Sequence, residues 1–247
     1  MKELIEGAGK LGIDLSARQV RQFELYYREL VEWNRRINLT AIIDYAEVQV
    51  KHFLDSLTVA QVIPDEEMER ADFSIVDVGT GAGFPGVPVK ICFPQPSMVL
   101  VEPTAKKAAF LHQLICTLEL KQIDILNARA EEAAHLPSYR EGFDLVLCRA
   151  VATLPTLVEL TLPFCRVGGR VVAQKKGDID QEVDRARKAI AVLGGAPGQV
   201  RRVELEEFDD VRYLVIVGKI SPTPGKYPRR PGVLKRRPIQ EVNRDVE

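Results

Sequence analysis

Apolar residues recur at helical spacing in two stretches near the start of the chain. In residues 16–33 an apolar stripe follows Ser16, a residue type that often caps helix N-termini. A second stripe runs through residues 46–63 and stops before Pro64, which cannot continue a helix. The first stripe consists of Val20, Phe23, Tyr27, Leu30 and Val31, and the second of Val50, Phe53, Leu54, Leu57 and Val62. These patterns predict a small helical unit over residues 1–67.

The periodicity changes after the acidic segment at residues 65–72, where short apolar runs begin to alternate with helix-length segments. This alternation predicts β-strands connected by helices. Seven strands are predicted, at residues 74–79, 98–102, 123–128, 143–149, 169–175, 200–208 and 213–219, with helices in the intervals up to Gly194. Runs as apolar as residues 145–148 are typical of strands covered on both faces, so we expect a parallel, doubly wound sheet. The last two strands are too close in sequence for a crossover and should form an antiparallel hairpin.

The predicted fold class is therefore α/β, with a Rossmann-like, mostly parallel seven-stranded sheet that contains one reversed strand. This strand arrangement is characteristic of class I methyltransferases. Three units are predicted along the chain: the helical unit at residues 1–67, the sheet domain at residues 68–220 and a C-terminal tail at residues 221–247.

Charge is unevenly distributed, although the 247 residues carry a net charge of only −1. From Gly218 onward there are eight Lys or Arg residues and three acidic residues, a local charge of +5, so residues 1–217 carry −6. Composition favours a solvated, partly disordered tail, and the alternative is a segment that follows a phosphate backbone.

Composition also bears on compartment and on metal sites. The N-terminus has no apolar signal core, and no apolar run approaches the roughly 20 residues of a membrane span, so we expect a cytoplasmic protein. Cys92, Cys116, Cys148 and Cys165 lie far apart and form neither a zinc motif nor a redox motif. They are expected to be reduced core thiols, and no metal site is predicted.

A glycine-rich loop follows the first predicted strand and is the first candidate binding site. Asp77 precedes a run that contains Gly79, Gly81 and Gly83, and Phe84 follows directly. Glycine lets the backbone turn sharply and approach a ligand, and the N–H groups at the start of the next helix can face that ligand. A nucleotide-like ligand is therefore expected here.

Two classes of ligand fit this loop. Gly81, Gly83 and Gly86 satisfy the G-x-G-x-x-G spacing of dinucleotide sites, which leaves an NAD-dependent oxidoreductase open. Asp77 favours S-adenosylmethionine, because its carboxylate suits the donor's ammonium group or a water beside it and offers nothing to a pyrophosphate. Glu102 ends the second strand and can accept both ribose hydroxyls of an adenosine, which both classes contain. Fewer than thirty residues follow the sheet, too few for a dehydrogenase's substrate domain, so the methyl donor is favoured.

The end of the fourth predicted strand bears on the type of methylation. Residues 147–150 (LCRA) replace the Asn/Asp-Pro-Pro-aromatic motif of amino-methylating enzymes, so methylation of an exocyclic amine is disfavoured. Cys148 lies where cytosine-C5 enzymes carry a nucleophile, but it lacks the neighbouring proline and is interpreted as a core residue. Arg149 stands at the carboxyl end of its strand, where a guanidinium can engage the donor or a phosphate.

Three further sets of residues are each compatible with two interpretations. Residues 127–131 form either an adenine-holding turn or an ordinary strand-to-helix turn. His52 and Asp55 suggest acid–base chemistry, but without a visible partner a local helix contact is the simpler interpretation. Arginines and aromatic residues near the first predicted helix indicate either a phosphate-contacting face or a solvated one; they are Arg28, Arg35, Arg36, Tyr26, Tyr27 and Trp33.

Six stretches together resemble the RsmG family, also called glucose-inhibited division protein B, the guanine-N7 methyltransferases of small-subunit ribosomal RNA. They lie at residues 33–40 (WNRRINLT), 51–57 (KHFLDSL), 77–86, 106–111 (KKAAFL), 149–152 (RAVA) and 227–232 (YPRRPG). The resemblance extends over nearly the whole chain. One small departure is Thr80, where many members carry serine.

This resemblance implies a reaction, a partner and a set of donor contacts. The implied reaction is methyl transfer from S-adenosylmethionine to N7 of one guanine in the 530 loop of 16S ribosomal RNA, conventionally position 527. The partner is then 16S ribosomal RNA or a small-subunit assembly particle, bound by a monomer. The implied donor contacts are Gly79, Phe84, Glu102, Pro103, Thr104, Ala130, Glu131 and Arg149, which join Asp77, Gly81 and Gly83 of the loop.

Guanine N7 carries an unprotonated lone pair at neutral pH, so no general base is predicted and positioning should supply the rate enhancement. Three alternatives are kept: an rRNA-binding assembly factor with a vestigial donor pocket, a small-molecule methyltransferase, and the NAD-dependent oxidoreductase. The basic tail counts against a small-molecule substrate, and the intact loop counts against a vestigial pocket.

Overall fold

The computed structural model describes residues 1–149 and 152–239, without the side chain of Lys235. Ala150 and Val151, which belong to the stretch at residues 149–152, and Arg244 of the basic tail lie outside the described residues.

Two regular helices begin the chain. α1 spans Lys2–Lys10 and α2 spans Ala17–Ile37. Ser16 caps α2 as expected: its hydroxyl accepts the N–H of Gln19 at 3.3 Å, and the Gln19 side chain accepts the N–H of Ser16 at 2.9 Å. This reciprocal capping box satisfies N–H groups that the first turn of a helix leaves free. The predicted start of the helix is confirmed.

The next helical segment, α3 at residues 45–62, changes pitch along its length. It is α-helical at Tyr45–Val48, π-helical at Gln49–Leu54, α-helical again at Asp55–Leu57 and 3-10-helical at Thr58–Val62. The sequence predicts one apolar stripe here, but residues 52–59 are buried on every side. The reason is that α3 is enclosed by α1 and by the sheet, so that polar residues of α3 are buried together with apolar ones. A short helix, α4 at Asp65–Met68, follows.

All seven predicted strands are present in one sheet. They are β1 Ser74–Val78, β2 Ser97–Val101, β3 Ile123–Leu126, β4 Phe143–Arg149, β5 Cys165–Lys176, β6 Gln199–Val203 and β7 Arg212–Gly218, in the order β3-β2-β1-β4-β5-β7-β6. The neighbouring pairs among β1 to β5 are parallel, and β7 runs antiparallel to β5 and β6. The predicted reversed strand is therefore confirmed. β6 ends at Val203 rather than at residue 208, because residues 204–211 form a loop.

Helices cover both faces of the sheet. They are α5 Gly86–Cys92, α6 Ala105–Thr117, α7 Ala130–Ala133, α8 Leu154–Thr161 and α9 Asp180–Val192. Leu147 and Val172 point into a core shared with α2, α3, α5 and α6, whereas Cys148 and Ala173 point into a second core with α8 and α9. Because both faces are covered, the strands are apolar at successive positions.

The described part of the tail folds back onto the second core. Tyr227 is buried there, and α10 spans Pro231–Arg236. Glu159, fully buried in α8, accepts the N–H of Arg229 at 2.9 Å and its Nη2 at 2.6 Å. Thr223, Tyr227 and Leu234 are buried, so the interpretation of the tail as a solvated end is wrong for this packed part, whereas Arg230, Arg236 and Arg237 are exposed. The buried Glu159 carboxylate requires its cationic partner. Within the described ranges, no helix combines the length and apolarity needed to cross a membrane.

Candidate functional site

The carboxyl ends of β1 to β4 meet at one edge of the sheet, where doubly wound folds bind ligands. All the residues predicted to hold a donor lie at this edge. Asp77 is in β1 and precedes Gly79, Gly81, Gly83 and Phe84; Glu102, Pro103 and Thr104 follow β2; Ala130 and Glu131 begin α7 after β3; and Arg149 ends β4. The topology thus brings together four segments that are separate in the sequence.

The glycine loop, residues 79–85, is tied to the neighbouring strand β2 through its backbone. The N–H groups of Gly79 and Thr80 donate to Val101 O at 2.9 and 3.2 Å. The three glycines of the loop have positive φ values, 73° at Gly79, 61° at Gly81 and 98° at Gly83, which L side chains rarely adopt. A Cβ on Gly81 would meet open space, with Gly79 O as its nearest contact at 4.0 Å. The loop therefore leaves room for a ligand directly against its backbone.

Asp77 is completely buried beneath this loop. Its Oδ2 accepts the Thr80 hydroxyl at 2.6 Å and the Gly86 N–H at 2.8 Å. Its Oδ1 has no hydrogen-bond partner among the described residues. Burial raises the pKa of Asp77 from 3.8 to about 6, although both hydrogen bonds oppose the shift. The unpaired oxygen suits a cationic or hydrogen-bond-donating group of a ligand.

Glu102 directly follows β2 and holds the glycine loop. Its Oε2 accepts the Gly81 N–H at 3.0 Å, and its Oε1 accepts the Thr104 N–H at 2.8 Å. The sequence predicts that this carboxylate accepts two ribose hydroxyls. Each carboxylate oxygen offers two acceptor positions, so one position on each oxygen is left for a ligand.

Phe84 joins the glycine loop to the N-terminal helices. Its ring stacks on Tyr26 at 5.3 Å and on His52 at 4.6 Å between ring centroids, and the Arg149 guanidinium lies 4.9 Å from its centroid. The Phe84 ring is buried by these three side chains, so its packing depends on α2 and α3 as well as on the sheet.

Tyr26 anchors the loop from the side of α2. Its buried hydroxyl donates to Ala82 O at 2.6 Å. A Cβ on Gly83 would lie 2.6 Å from this hydroxyl, so glycine is required there by packing as well as by backbone conformation.

An open cleft of about 580 Å³ lies between the N-terminal helices and the carboxyl ends of β4 and β5. Its lining is mostly polar and charged: Ile42, Lys51, His52, Asp55, Arg149, Gln174, Lys175, Lys176, Glu182, Asp209, Asp210 and Arg212. Because His52 and Arg149 also contact Phe84, the cleft adjoins the glycine loop.

Asp55 connects α3 to three strands at the floor of this cleft. Its Oδ2 accepts from Arg149 Nη1 at 2.9 Å, and its Oδ1 lies 3.1 Å from Arg212 Nε. Its backbone carbonyl accepts a hydrogen bond from Gln174 Nε2. The expectation of a local helix contact is therefore wrong for Asp55, because its partners lie on β4, β5 and β7.

His52 is held by groups outside its own helix as well. Its Nε2 lies 2.8 Å from Thr40 Oγ1, and its Nδ1 lies 3.4 Å from Arg149 Nη2. Burial, and then the Arg149 charge, lower the pKa of His52 from 6.5 to about 3. The ring is therefore neutral at physiological pH and serves packing against Phe84.

The arginines and aromatic residues of α2 do not form a shared face. Tyr26 is buried, whereas Arg28, Arg35 and Arg36 are exposed. Arg35 and Arg36 pair with Glu32 at 3.3 and 2.6 Å. Tyr27 packs edge-on against Tyr45 and Trp33 against Phe110, so the aromatic rings of α2 are engaged within the protein.

Cys148 lies in the second core, fully buried, and burial raises the pKa of its thiol. Its interpretation as a core residue is confirmed, and Cys165 is buried as well. The expectation of a core thiol is wrong for Cys116, which is exposed, and Cys92 is only partly buried.

Sequence reasoning missed Gln174 and Arg212. Gln174 is a polar residue near the carboxyl end of a parallel strand, and that position was the signal available to find it. Arg212 starts the reversed strand β7, so that it reaches the same edge from the opposite chain direction.

Comparison with known sequences identifies a family. The profile of GidB, described as rRNA small subunit methyltransferase G, matches residues 19–209. Ribosomal RNA small subunit methyltransferase G of Dehalococcoides mccartyi is 51% identical over 241 residues, covering 97% of this chain and 100% of the relative. The protein of the same name from Roseiflexus castenholzii is 46% identical over 239 residues, covering 97% of this chain and 100% of the relative.

Solved structures share the fold at low sequence identity. Magnesium protoporphyrin IX methyltransferase from Synechocystis, with bound SAM, has a TM-score of 0.55 and 12% identity, covering 83% of this chain and 98% of its own. A SAM-dependent O-methyltransferase from Thermotoga maritima has a TM-score of 0.51 and 15% identity, covering 68% of this chain and 65% of its own. Both similarities concern the Rossmann-like sheet.

Proposed function

Because this chain belongs to the GidB family of rRNA small subunit methyltransferase G proteins, we propose that it methylates 16S ribosomal RNA with S-adenosylmethionine as donor. The proposed target is N7 of one guanine in the 530 loop, at position 527. The chain is proposed to act as a monomer on the rRNA or on an assembling small-subunit particle. Residues 68–220 are the proposed methyltransferase domain, to which residues 1–67 and 221–247 add RNA contacts.

The glycine-loop edge of the sheet fits the proposed donor. Asp77 Oδ1 is buried without a partner among the described residues, which suits the donor's ammonium group or a water bound to it. The open space at Gly81 admits a ligand against the backbone. The proposed donor-binding residues are Asp77, Gly79, Gly81, Gly83, Phe84, Glu102, Pro103, Thr104, Ala130, Glu131 and Arg149.

One observation carries the proposal beyond family membership: the cleft adjoins the glycine loop through Arg149 and His52, which both contact Phe84. A donor at the loop and a base in the cleft would therefore be neighbours. Holding two reactants in line is worth up to roughly 7 to 11 kcal/mol of the barrier.

The proposed reaction requires little proton transfer by the protein. When bound, S-adenosylmethionine supplies an electrophilic methyl group: N7 forms the new N–C bond while the S–CH3 bond breaks, and its electron pair returns to sulfur. The neutral ring of His52 and the buried thiol of Cys148 are not required as base or nucleophile. The methylated guanine is cationic, and carboxylates or carbonyls near the base would favour that charge.

The NAD-dependent oxidoreductase is not supported, because the family is one of methyltransferases. An assembly factor with a vestigial donor pocket makes a different prediction from the enzyme. Calorimetry with S-adenosylmethionine separates the two, since a vestigial pocket gives no binding heat, whereas the proposed site gives saturable binding without added metal.

The decisive experiment is mass spectrometry of 16S rRNA nucleosides from cells with and without the gene. We expect the loss of one 7-methylguanosine per 16S rRNA, restored by the unaltered gene. An unchanged 7-methylguanosine content would overturn the proposed target.

A further inference from the structure

Gln174 has a buried acceptor that nothing in the described fold uses. The residue lies near the carboxyl end of β5, lines the cleft and is 5% exposed. Its Nε2 donates to the backbone carbonyl of Asp55 and to Thr58 Oγ1, the latter at 3.0 Å. Its Oε1 has no hydrogen-bond partner among the described residues.

The orientation of this side-chain amide is set by its partners. The Asp55 carbonyl can only accept, so the nitrogen of the amide must face it. The Thr58 hydroxyl donates to the same carbonyl at 2.7 Å, so towards Gln174 it acts as an acceptor. Both hydrogens of Nε2 are thereby used, and Oε1 is the end of the amide that is left over. A buried acceptor without a donor is unfavourable unless a ligand supplies one.

A donor group lies beside this acceptor. Arg149 on β4 pairs in register with Gln174 on β5, so the two side chains are neighbours on the same face of the sheet. Arg149 also covers the ring of Phe84 in the glycine loop. Across the sheet from β1 to β5, the order is therefore glycine loop, guanidinium, amide oxygen.

The edge of guanine presents complementary groups in the same order. From N7 they are the acceptor O6, the donor N1–H and the donor 2-amino group. With N7 towards the glycine loop, O6 would meet the guanidinium, and N1–H would meet the amide oxygen. Adenine presents an amino group and an unprotonated N1 at these positions, so it mismatches both.

Resting on the proposed function, we propose that Gln174 is a specificity-determining residue, whose Oε1 accepts the N1–H of the target guanine while Arg149 donates to O6. This contact uses the Watson–Crick edge, so the base enters the cleft unpaired. Recognition of unpaired bases on that edge is the usual mode for sequence-specific RNA binding.

The test compares two bases at the target position of the same RNA. 2-Aminopurine keeps N7 and the 2-amino group but lacks O6 and the N1 proton. 16S rRNA carrying either base is made by ligation of a synthetic segment, and is used both naked and with small-subunit proteins. Dissociation constants are measured with S-adenosylhomocysteine present, so that no turnover occurs.

We expect the unaltered full-length chain to prefer guanine roughly a hundredfold, about tenfold for each lost contact. Gln174→Leu should weaken guanine binding roughly tenfold and leave 2-aminopurine binding unchanged, so that the preference shrinks to about tenfold. Thr58→Val removes a partner of Nε2 but not Oε1, and it should leave the preference intact.

Two failures are distinguishable. If the unaltered chain methylates N7 of the guanine RNA but Gln174→Leu and Thr58→Val show the same base preference as each other, Gln174 has only a structural role. If the unaltered chain transfers no methyl group to that guanine in either RNA form, the proposed function itself fails. Affinity for S-adenosylhomocysteine, measured for every variant, reports whether the fold is intact.

Discussion

The glycine loop and the cleft lie at the same edge of one sheet, but their polar groups are arranged in different ways. The loop is organised by backbone N–H groups that donate to Val101, Glu102 and Asp77, all within β1, β2 and their neighbouring turns. The cleft is organised by side chains, with Asp55 of α3 holding Arg149 and Arg212 from two strands.

The two regions also differ in what they leave unsatisfied. Beneath the loop a single carboxylate oxygen, Asp77 Oδ1, is without a partner among the described residues. In the cleft, Gln174 Oε1 lacks a partner, and Arg212 Nε and Nη1 lack aligned hydrogen bonds although they lie at ion-pair distance from Asp55 and Asp210. In the proposed function, the loop holds the donor and the cleft contacts the RNA. Changes in the loop should therefore act on donor binding, and changes in the cleft should act on RNA.

The largest expected effect is that of Gly81→Val. A β-branched residue is strained at a φ of 61° and its side chain would occupy the open space above the loop, so S-adenosylmethionine affinity should fall at least roughly a hundredfold. Isothermal titration calorimetry measures this. Gly12→Val is the matched control, because Gly12 also has positive φ (79°) and open surroundings but belongs to the turn after α1 and not to the glycine loop. Equal donor affinity in the two variants would remove the loop from the site.

Asp55→Ala should act on the cleft and, through it, on RNA methylation. Removing a partner from a buried ion pair costs about 3–5 kcal/mol, and less here because the Asp55 side chain is 10% exposed. We expect a lower melting temperature and a rate of RNA methylation reduced by roughly tenfold or more, with a smaller loss of donor affinity, since the Asp55 partner Arg149 is also among the proposed donor-binding residues. Glu32→Ala is the control, since it unpairs the exposed Arg35 and Arg36, where ion pairs contribute only about 0–1 kcal/mol. A donor affinity that fell as far as the methylation rate would erase the distinction between loop and cleft.

The pH dependence of donor binding tests the proposed contact between Asp77 of the loop region and the donor. Its pKa is raised to about 6, so below that pH the carboxylate that is proposed to face the donor's ammonium group becomes neutral. Affinity for S-adenosylmethionine should then fall by up to roughly tenfold per pH unit below pH 6. Asp77→Asn should bind weakly at every pH, with a flat profile.

The contribution of Asp77 to the free energy of unfolding should change with pH in the opposite sense to donor affinity. A raised pKa favours the protonated carboxyl in the folded state, so this contribution is fully present below the ordinary value of 3.8 and is lost as pH rises through about 6. Comparison with Asp77→Asn isolates it from His52, whose lowered pKa destabilises the fold as pH falls below 6.5. A donor affinity independent of pH between 5 and 7.5 would show that Asp77 does not face the ammonium group.

A smaller effect is expected from the tail, which tests whether RNA contacts extend beyond the cleft. Arg230, Arg236 and Arg237 are exposed, and each phosphate contact adds roughly 0.7 to the log–log salt slope for single-stranded RNA. Replacing all three by Gln should flatten the slope by up to about 2 and leave donor affinity unchanged. Arg229→Gln should instead lower the melting temperature, because it leaves Glu159 buried without its partner. An unchanged slope in the triple variant would confine RNA recognition to the cleft and the N-terminal helices.

The smallest effect is expected for Cys148→Ala. The thiol lies in the second core, away from both the loop and the cleft, so methylation should stay within about threefold of the unaltered chain. Complete loss of activity in a folded, donor-binding variant would revive a covalent mechanism.

The glycine loop could be predicted from the sequence more fully than the cleft could. The glycine loop and Glu102 could be predicted because contiguous residues and strand ends specify them. His52 and Asp55 attracted attention in the sequence, yet their partners could not be assigned. Their contacts with Arg149 depend on how α3 packs over β4, and no local pattern records that packing.

The tail gives a second example. Its positive charge is visible in the sequence, but the composition does not reveal that Arg229 is paired with Glu159, a carboxylate buried in another helix. Arg230, Arg236 and Arg237 are exposed and could contact RNA, whereas Arg229 stabilises the fold through its ion pair with Glu159.

The sequence by itself determined the seven strands, the capped helix α2, the parallel sheet with its reversed strand and the position of the glycine loop. These follow from hydrophobic period, connection length and glycine's access to positive φ, which act over a few residues at a time. Only the tertiary structure decided which polar groups of α3, β4, β5 and β7 meet in the cleft, and that Gln174 keeps an unpaired oxygen there. The physical reason is that pairing between distant side chains depends on the relative placement of whole elements, which the packing of the two cores fixes.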